Sequence, residues 1–220
     1  MQNYKIDHLV VGSNCLEEGT YYIENLLDLK LSSIGYHKKM GTHNRVIKLG
    51  DLYLEVIAID PDSKVEIKNT FFGLDKSFVK KKILLKPRLI SFVISSTMNI
   101  SSKFYPNKTY IERNKYKWNF MNPNQNILEK DLFPYSDSFP SIIHWLTPSP
   151  LEEMKKNFFK FERLEIELKE NQIFYKDHLD SFKLNEKIVY KIRKNADNDV
   201  YPKIYGIVKN IKTGNELIIK

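Results

Sequence analysis

The sequence predicts a mixed α+β fold, in which β-α-β-β-β units assemble into a sheet. Three observations predict it. A short strand-like run near the N-terminus is followed by one amphipathic stretch and then by closely spaced strands. The same order of elements returns near the C-terminus. Strands and helices do not alternate as they would in a doubly wound parallel sheet.

The elements follow in order. Ile6-Asp7-His8-Leu9-Val10-Val11 reads as a strand with Ile6, His8 and Val10 on one face. Gly12-Ser13-Asn14 breaks it, and Asn14 with Glu17 has the spacing of a capping box. A helix is expected over about 15–28, with Leu16, Ile23, Leu26 and Leu27 as its apolar stripe. Leu29–Ile34 is expected as a second strand, and 35–44 as a loop bounded by glycines. Arg45–Leu49 and Leu52–Ile59 form a hairpin across Gly50-Asp51. In that hairpin Glu55 shares a face with Tyr53 and Ile57.

Residues 60–86 are expected as a connector with some helix. Arg88–Ser95 is a strand, 96–107 a polar loop, and 110–113 with 116–121 a hairpin across Asn114-Lys115. The stretch 122–140 is irregular, and Ser141–Trp145 is a buried strand. Ser149, Pro150 and Glu152 start a short helix over 151–159. Strand 163–168, helix 171–182, strand 187–193 and a hairpin of 203–210 with 216–220 complete the chain. One domain over 1–220 is expected. Its first module spans about 4–60, a connector and insertion about 61–160 including strand 88–95, and a second module's elements about 161–220.

Composition narrows the function. The 220 residues carry 35 Lys+Arg against 27 Asp+Glu, a net charge of +8. Only five of the basic residues are Arg, whereas nucleic-acid interfaces favour the forked guanidinium. This argues against a nucleic-acid partner. Cys15 is the one cysteine, so no internal disulfide or Cys-rich zinc site can form, and its expected role is a small buried residue. No apolar run approaches the roughly 20 residues that span a bilayer. The N-terminus runs straight into a strand without the apolar region of a secretory signal, which predicts a cytoplasmic location.

Three local patterns carry a resemblance. They are Ile6-Asp7-His8-Leu9-Val10-Val11, then Gly41-Thr42-His43-Asn44-Arg45, then Leu54-Glu55-Val56-Ile57. Together, in that order, they resemble a glyoxalase-like subfamily of the vicinal-oxygen-chelate superfamily, which includes glyoxalases, bleomycin-resistance proteins and extradiol dioxygenases. Trp118 and Pro140-Ser141-Ile142-Ile143-His144-Trp145 are similar to words in that subfamily's second half. The resemblance implies paired βαβββ modules forming a cupped mixed sheet. It also implies a divalent metal (Zn, Fe, Mn or Ni) at the base of the cup, held by His8 and Glu55. His43 or His144 would be a third ligand or a general acid–base.

The second module's matching positions read as Ser91 and, counted from Gly214, Ile218. Neither is a usual metal ligand. Two functions therefore stay open. One is a metal-assisted lyase, isomerase or dioxygenase-type enzyme acting on a small oxygenated molecule. The other is a metal-free protein that holds or sequesters such a molecule. Each residue also has a plain structural reading. His8 could be a satisfied core histidine, Glu55 a partner of Arg45 or Lys48, and His43 a loop cap. Trp118, Tyr53 and Trp145 could line a pocket or simply fill the core. His37 and His178 are expected in solvent. A homodimer is compatible with the sequence, although both modules are present in one chain.

Overall fold

The computed structural model describes residues 4–68, 70–124, 139–170, 173–184, 187–193 and 203–220. The irregular stretch expected at 122–140 falls mostly outside them.

The main body is an eight-stranded sheet with the order β2-β3-β4-β1-β5-β8-β7-β6. Its strands are β1 (Tyr4–Gly12), β2 (Gly35–His37), β3 (Thr42–Leu49), β4 (Leu52–Ile59), β5 (Arg88–Ser96), β6 (Thr109–Arg113), β7 (Tyr116–Met121) and β8 (Ser141–Trp145). Two halves meet at the antiparallel β1–β5 pair. In each half the first strand pairs parallel with the last, β1 with β4 and β5 with β8. The halves are thus two copies of one four-stranded plan, curled into a cup. Helix α1 (Leu16–Leu27) belongs to the first copy; residues 97–108, its counterpart in the second, form no helix.

The β1–β5 register places the site. Ile6 pairs with Ile94 and His8 with Val93, so Asp7 is an extra residue in β1; Val10 pairs with Ser91 and Val11 with Leu89, so Ile90 is an extra residue in β5. A bulge of this kind breaks strict alternation and turns two successive side chains toward one face. Ile6 is therefore packed on the back of the sheet, while His8 and Val10 face the cup. Strict alternation had grouped Ile6 with His8. Exchange of the two halves carries the His8–Val93 pair onto the Val10–Ser91 pair, so Ser91 is the counterpart of His8 in the second half.

The expected second-module boundary is not what forms. Residues 159–219 make a separate four-stranded sheet, β10-β9-β11-β12, from β9 (Phe159–Lys169), β10 (Ile188–Arg193), β11 (Lys203–Asn210) and β12 (Glu216–Ile219). With α3 (Ile173–Asp180) between β9 and β10, this segment repeats the β-α-β-β-β order. However, β9 pairs parallel with the next strand, β10, and not with its fourth. Element order alone does not reveal pairing. The second copy of the cup plan is 88–145. Because Val10 pairs with Glu55 and Val93 with Ser141, the counterpart of Glu55 is Ser141 rather than Ile218. Ile218 is exposed on the other sheet.

The two sheets share one core. Leu9, Val11, Leu54 and Phe92 from the back of the cup pack with Phe161, Leu164, Ile204 and Ile219, and α1 adds Leu16, Ile23 and Leu27. The Leu89 N–H donates to the Lys220 carbonyl at 2.6 Å. Burial of these side chains, worth about 1.5–3 kcal/mol each, seals the back of the cup.

A second apolar cluster fills part of the front. The connector supplies Phe71, Phe72 and Leu74, and α2 (Ser77–Ile83) supplies Val79 and Ile83, against Val10, Ile57, Val93 and Phe120. Phe72 has φ +55°, a left-handed conformation costly for a bulky side chain. A bracket holds the turn: the Thr70 N–H donates to Asp75 Oδ1 at 2.9 Å, the Thr70 hydroxyl to the same oxygen at 2.7 Å, and the Asp75 N–H to Thr70 Oγ1 at 3.0 Å.

Three local expectations are corrected. Residues 29–34 form no strand; β2 lies at 35–37, inside the expected loop, because Gly35-Tyr36-His37 pairs with Thr42–Asn44. The cap of α1 is Cys15, with no side-chain capping bond, in place of an Asn14 capping box. Residues 151–159 give one 3-10 turn, Pro150–Glu152, whose Ser149 side chain accepts from the Leu151 N–H.

Candidate functional site

His8 and Glu55 meet in the cup. Both are about 5% exposed or less. His8 Nε2 and Glu55 Oε2 are 3.6 Å apart. That is too long for a direct hydrogen bond, so an atom beside both can bridge them. On the other side of the ring, His8 Nδ1 lies 2.7 Å from Asp7 Oδ1. A carboxylate only accepts, so Nδ1 carries the proton and, in the neutral ring, Nε2 holds the lone pair.

The ends of this file are tied down. Trp145 Nε1 donates to Asp7 Oδ2 at 2.9 Å, and Asn44 Nδ2 donates to Glu55 Oε1 at 2.5 Å. Trp145, Asp7 and His8 form one hydrogen-bonded run and Glu55 with Asn44 another, and the two face each other across the 3.6 Å gap. Tyr53 stacks on the His8 ring, with centroids 4.5 Å apart and planes 16° apart. Burial, reinforced by the Asp7 and Glu55 carboxylates, pushes the Tyr53 phenol well above its ordinary range. Phe72 meets the His8 ring edge-on at 6.5 Å.

His8, Asn44, Tyr53, Glu55, Phe72 and Trp145 line a cavity of about 90 Å³, with His37, Arg113, Trp118, Phe120 and Ile143 on its other walls; Asp7 stands behind the His8 ring. It shares His37, Asn44, Val46, Phe71 and Arg113 with a wide groove of about 1440 Å³ that opens to solvent. The chamber is therefore the inner end of the groove. At the junction, Arg113 Nη1 donates to His37 Nε2 at 3.0 Å, and His37 Nδ1 lies 3.1 Å from Thr42 Oγ1. Burial first, then the Arg113 charge, hold His37 down to about 3. The Arg113–His37 contact joins β6 to β2, the two edge strands of the cup.

Two sequence-predicted residues lie elsewhere. His43 pairs across the sheet with Ala58, on the opposite face from Asn44 and Glu55, 4.0 Å from Asp60 Oδ1. His144 alternates with the cavity residues Ile143 and Trp145, and its Nδ1 donates to the Ser96 carbonyl at 2.9 Å. Neither lines the chamber. The sequence reading missed Asp7, hidden by the bulge, and His37 and Arg113, whose edge strands meet only when the sheet curls. Tyr53, Trp118 and Trp145 do line the cavity. His178 is also not in solvent: it stacks on Phe139 at 4.3 Å, and burial holds it down to about 4.

The donors do not compose a metal site. Among the described residues no three His, Cys, Asp or Glu side chains group around a common point. The two nitrogens of His8 face Asp7 and Glu55 on opposite sides, so these three groups cannot converge on one ion. Ser91 and Ser141 stand at the second half's positions. Two donors, His8 Nε2 and Glu55, fall short of the three or four that a resident Zn, Fe, Mn or Ni ion takes.

One solved structure shares the architecture. A hypothetical protein from Staphylococcus aureus superposes with a TM-score of 0.65 at 17% identity, over 99% of this chain and 98% of the other. Methylmalonyl-CoA epimerase of Streptomyces coelicolor, in complex with 2-nitronate-propionyl-CoA, gives 0.44 at 10% identity over 65% of this chain and 98% of its own. A mutant of 4-hydroxymandelate synthase from the same organism gives 0.42 at 12% identity, over 67% and 50%. Among proteins of curated function, none matches this chain in sequence. The glyoxalase-like domain profile matches residues 6–175. With the paired modules and the cup described above, the chain belongs to the glyoxalase-like domain family of the vicinal-oxygen-chelate superfamily.

Proposed function

We propose that this protein binds a small oxygenated molecule at the inner end of the groove and moves a proton on it, as a lyase or isomerase does. The observation that carries the reading is the Asp7–His8–Glu55 file, with His8 Nε2 facing the cavity beside Glu55. Asp7 fixes the tautomer, so Nε2 is presented as a base. Glu55, steadied by Asn44, stands close enough to receive or return the same proton. The imidazolium formed when Nε2 takes a proton lies between two carboxylates, which lowers the cost of creating that charge in a buried place. Tyr53 covers one face of the ring and Phe72 meets it edge-on. No step is assigned to a metal, because the donor set does not fit one.

The test is exchange of carbon-bound hydrogen. Short 2-oxo and 2-hydroxy acids, and their methyl esters, are incubated in deuterated water with the wild type and with His8→Gln, and followed by proton NMR. Deuterium uptake with the wild type, lost in the variant, supports the reading; no uptake in any compound sinks it.

A second reading is a holding protein without turnover. It is favoured by Phe71 and Phe72, which fill so much of the cup that only about 90 Å³ remains beside His8. It predicts binding by calorimetry with no exchange.

A further inference from the structure

We infer that Arg113 is the receptor for a carboxylate on the ligand, and that the molecule held here is a small monocarboxylic acid whose oxygenated end reaches His8 and Glu55. The second clause rests on the function proposed above; the first stands on Arg113 itself.

Arg113 is a half-buried guanidinium on an edge strand, lining both the groove and the chamber. A cation in such a place ordinarily finds a carboxylate. Among the described residues Arg113 makes no ion pair. Its Nη1 donates to a histidine, and its guanidinium lies over the Trp118 ring at 5.9 Å. His37 stays neutral down to about pH 3, so it remains an acceptor and does not repel the guanidinium. Both contacts fix the plane of the group and leave its other N–H donors uncommitted. A planar fork with free donors is matched to an oxyanion.

Charge selects among oxyanions. Glu55 lines the chamber and Asp7 stands behind His8, so a dianionic phosphate would bring two further negative charges beside them, whereas a carboxylate brings one. The approach is cationic: Lys38, Lys39, Lys155 and Lys156 line the groove. Three of its four acids are already paired, Glu24 with Lys30, Glu112 with Lys117 and Glu153 with Lys115. Gly35 makes room for the receptor. A Cβ there would lie 3.0 Å from Arg113 Nη1 and 2.4 Å from Asn44 Oδ1.

The experiment is calorimetric titration of the full chain with 2-oxobutanoate, 2-hydroxybutanoate, their methyl esters and inorganic phosphate. It is repeated with Arg113→Gln, Arg113→Lys and Gly35→Ala. The acids are expected to bind the wild type about 10- to 100-fold more tightly than their esters, the worth of a charge-assisted pair. Arg113→Gln should erase that preference by weakening the acids more than the esters, Arg113→Lys should restore part of it, and Gly35→Ala should weaken the acids. Equal binding of acids and esters by the wild type, tighter binding of phosphate, or no binding of any acid overturns the inference without reliance on a variant. Deuterium uptake separates it from the reaction: acids held through Arg113 with no uptake would sink the proton-transfer reading and leave the carboxylate receptor standing.

Discussion

Replacing Asp7 by Asn tests the buried chain at its most informative point. The side chain keeps its shape, but the two carboxylate oxygens become one acceptor and one donor. In the native protein those oxygens accept hydrogen bonds from His8 Nδ1 at 2.7 Å and from Trp145 Nε1 at 2.9 Å, with the residue only 5% exposed. The amide can serve one of these donors and must face the other with an N–H. One charge-assisted bond is lost, about 1.5–3 kcal/mol, and the ring must either leave a buried donor orphaned, about 1–3 kcal/mol, or change tautomer. Part of this is offset because a buried charge is no longer desolvated. The expected net destabilisation is about 2–3 kcal/mol. For a chain of this size that lowers the melting temperature by about 4–12 °C. Urea denaturation and scanning calorimetry at pH 7.5 measure it, and imidazole nitrogen shifts report the tautomer. The variant should also release the proton from His8 Nδ1, moving it to Nε2. A variant within about 0.5 kcal/mol of the wild type, with the His8 tautomer unchanged, would show that Asp7 does not orient the ring.

Three further outcomes follow from the packing. His37 is held at about 3 against an ordinary 6.5, so the unfolded chain binds its proton first as pH falls; stability is full above about 6.5 and declines toward 3, and His37→Gln should flatten urea midpoints measured across that window. Gly19→Ala should cost about 1–3 kcal/mol in urea unfolding, because the new Cβ would lie 2.5 Å from Val56 Cγ1 and 2.8 Å from Ser13 Cβ, prying α1 from the sheet. Phe71→Ala should cost about 3–5 kcal/mol and enlarge the chamber, so calorimetry should detect binding of bulkier esters than the wild type accepts.

Much of the cup was legible in the chain. The β1 and β4 patterns and the Gly50 and Asn114 turns followed from alternation and turn chemistry, whereas the choice of His8 and Glu55 came from the resemblance. What escaped has physical causes. A bulge is invisible to a period of two, so Asp7 was read as facing away. His43 and His144 carry the right side chain on the wrong face, which the register decides and composition does not. His37 and Arg113 are 76 positions apart and touch only because two edges of one sheet curl together. The C-terminal segment copied the module's element order while pairing its strands differently, and that difference moved the expected boundary from 161 to 88.

The rim where β2 faces β6 has a consequence for traffic. Among the described residues no backbone ladder spans it, and the side-chain link across it is the Arg113–His37 bond. Every other boundary in the sheet is laced by repeated amide contacts, so thermal breathing concentrates along this line. Opening this line would break one side-chain bond, about 1 kcal/mol, and no strand would have to unzip. Amide hydrogens of Tyr36 and Tyr110 should therefore exchange sooner than those of Leu9 or Leu54.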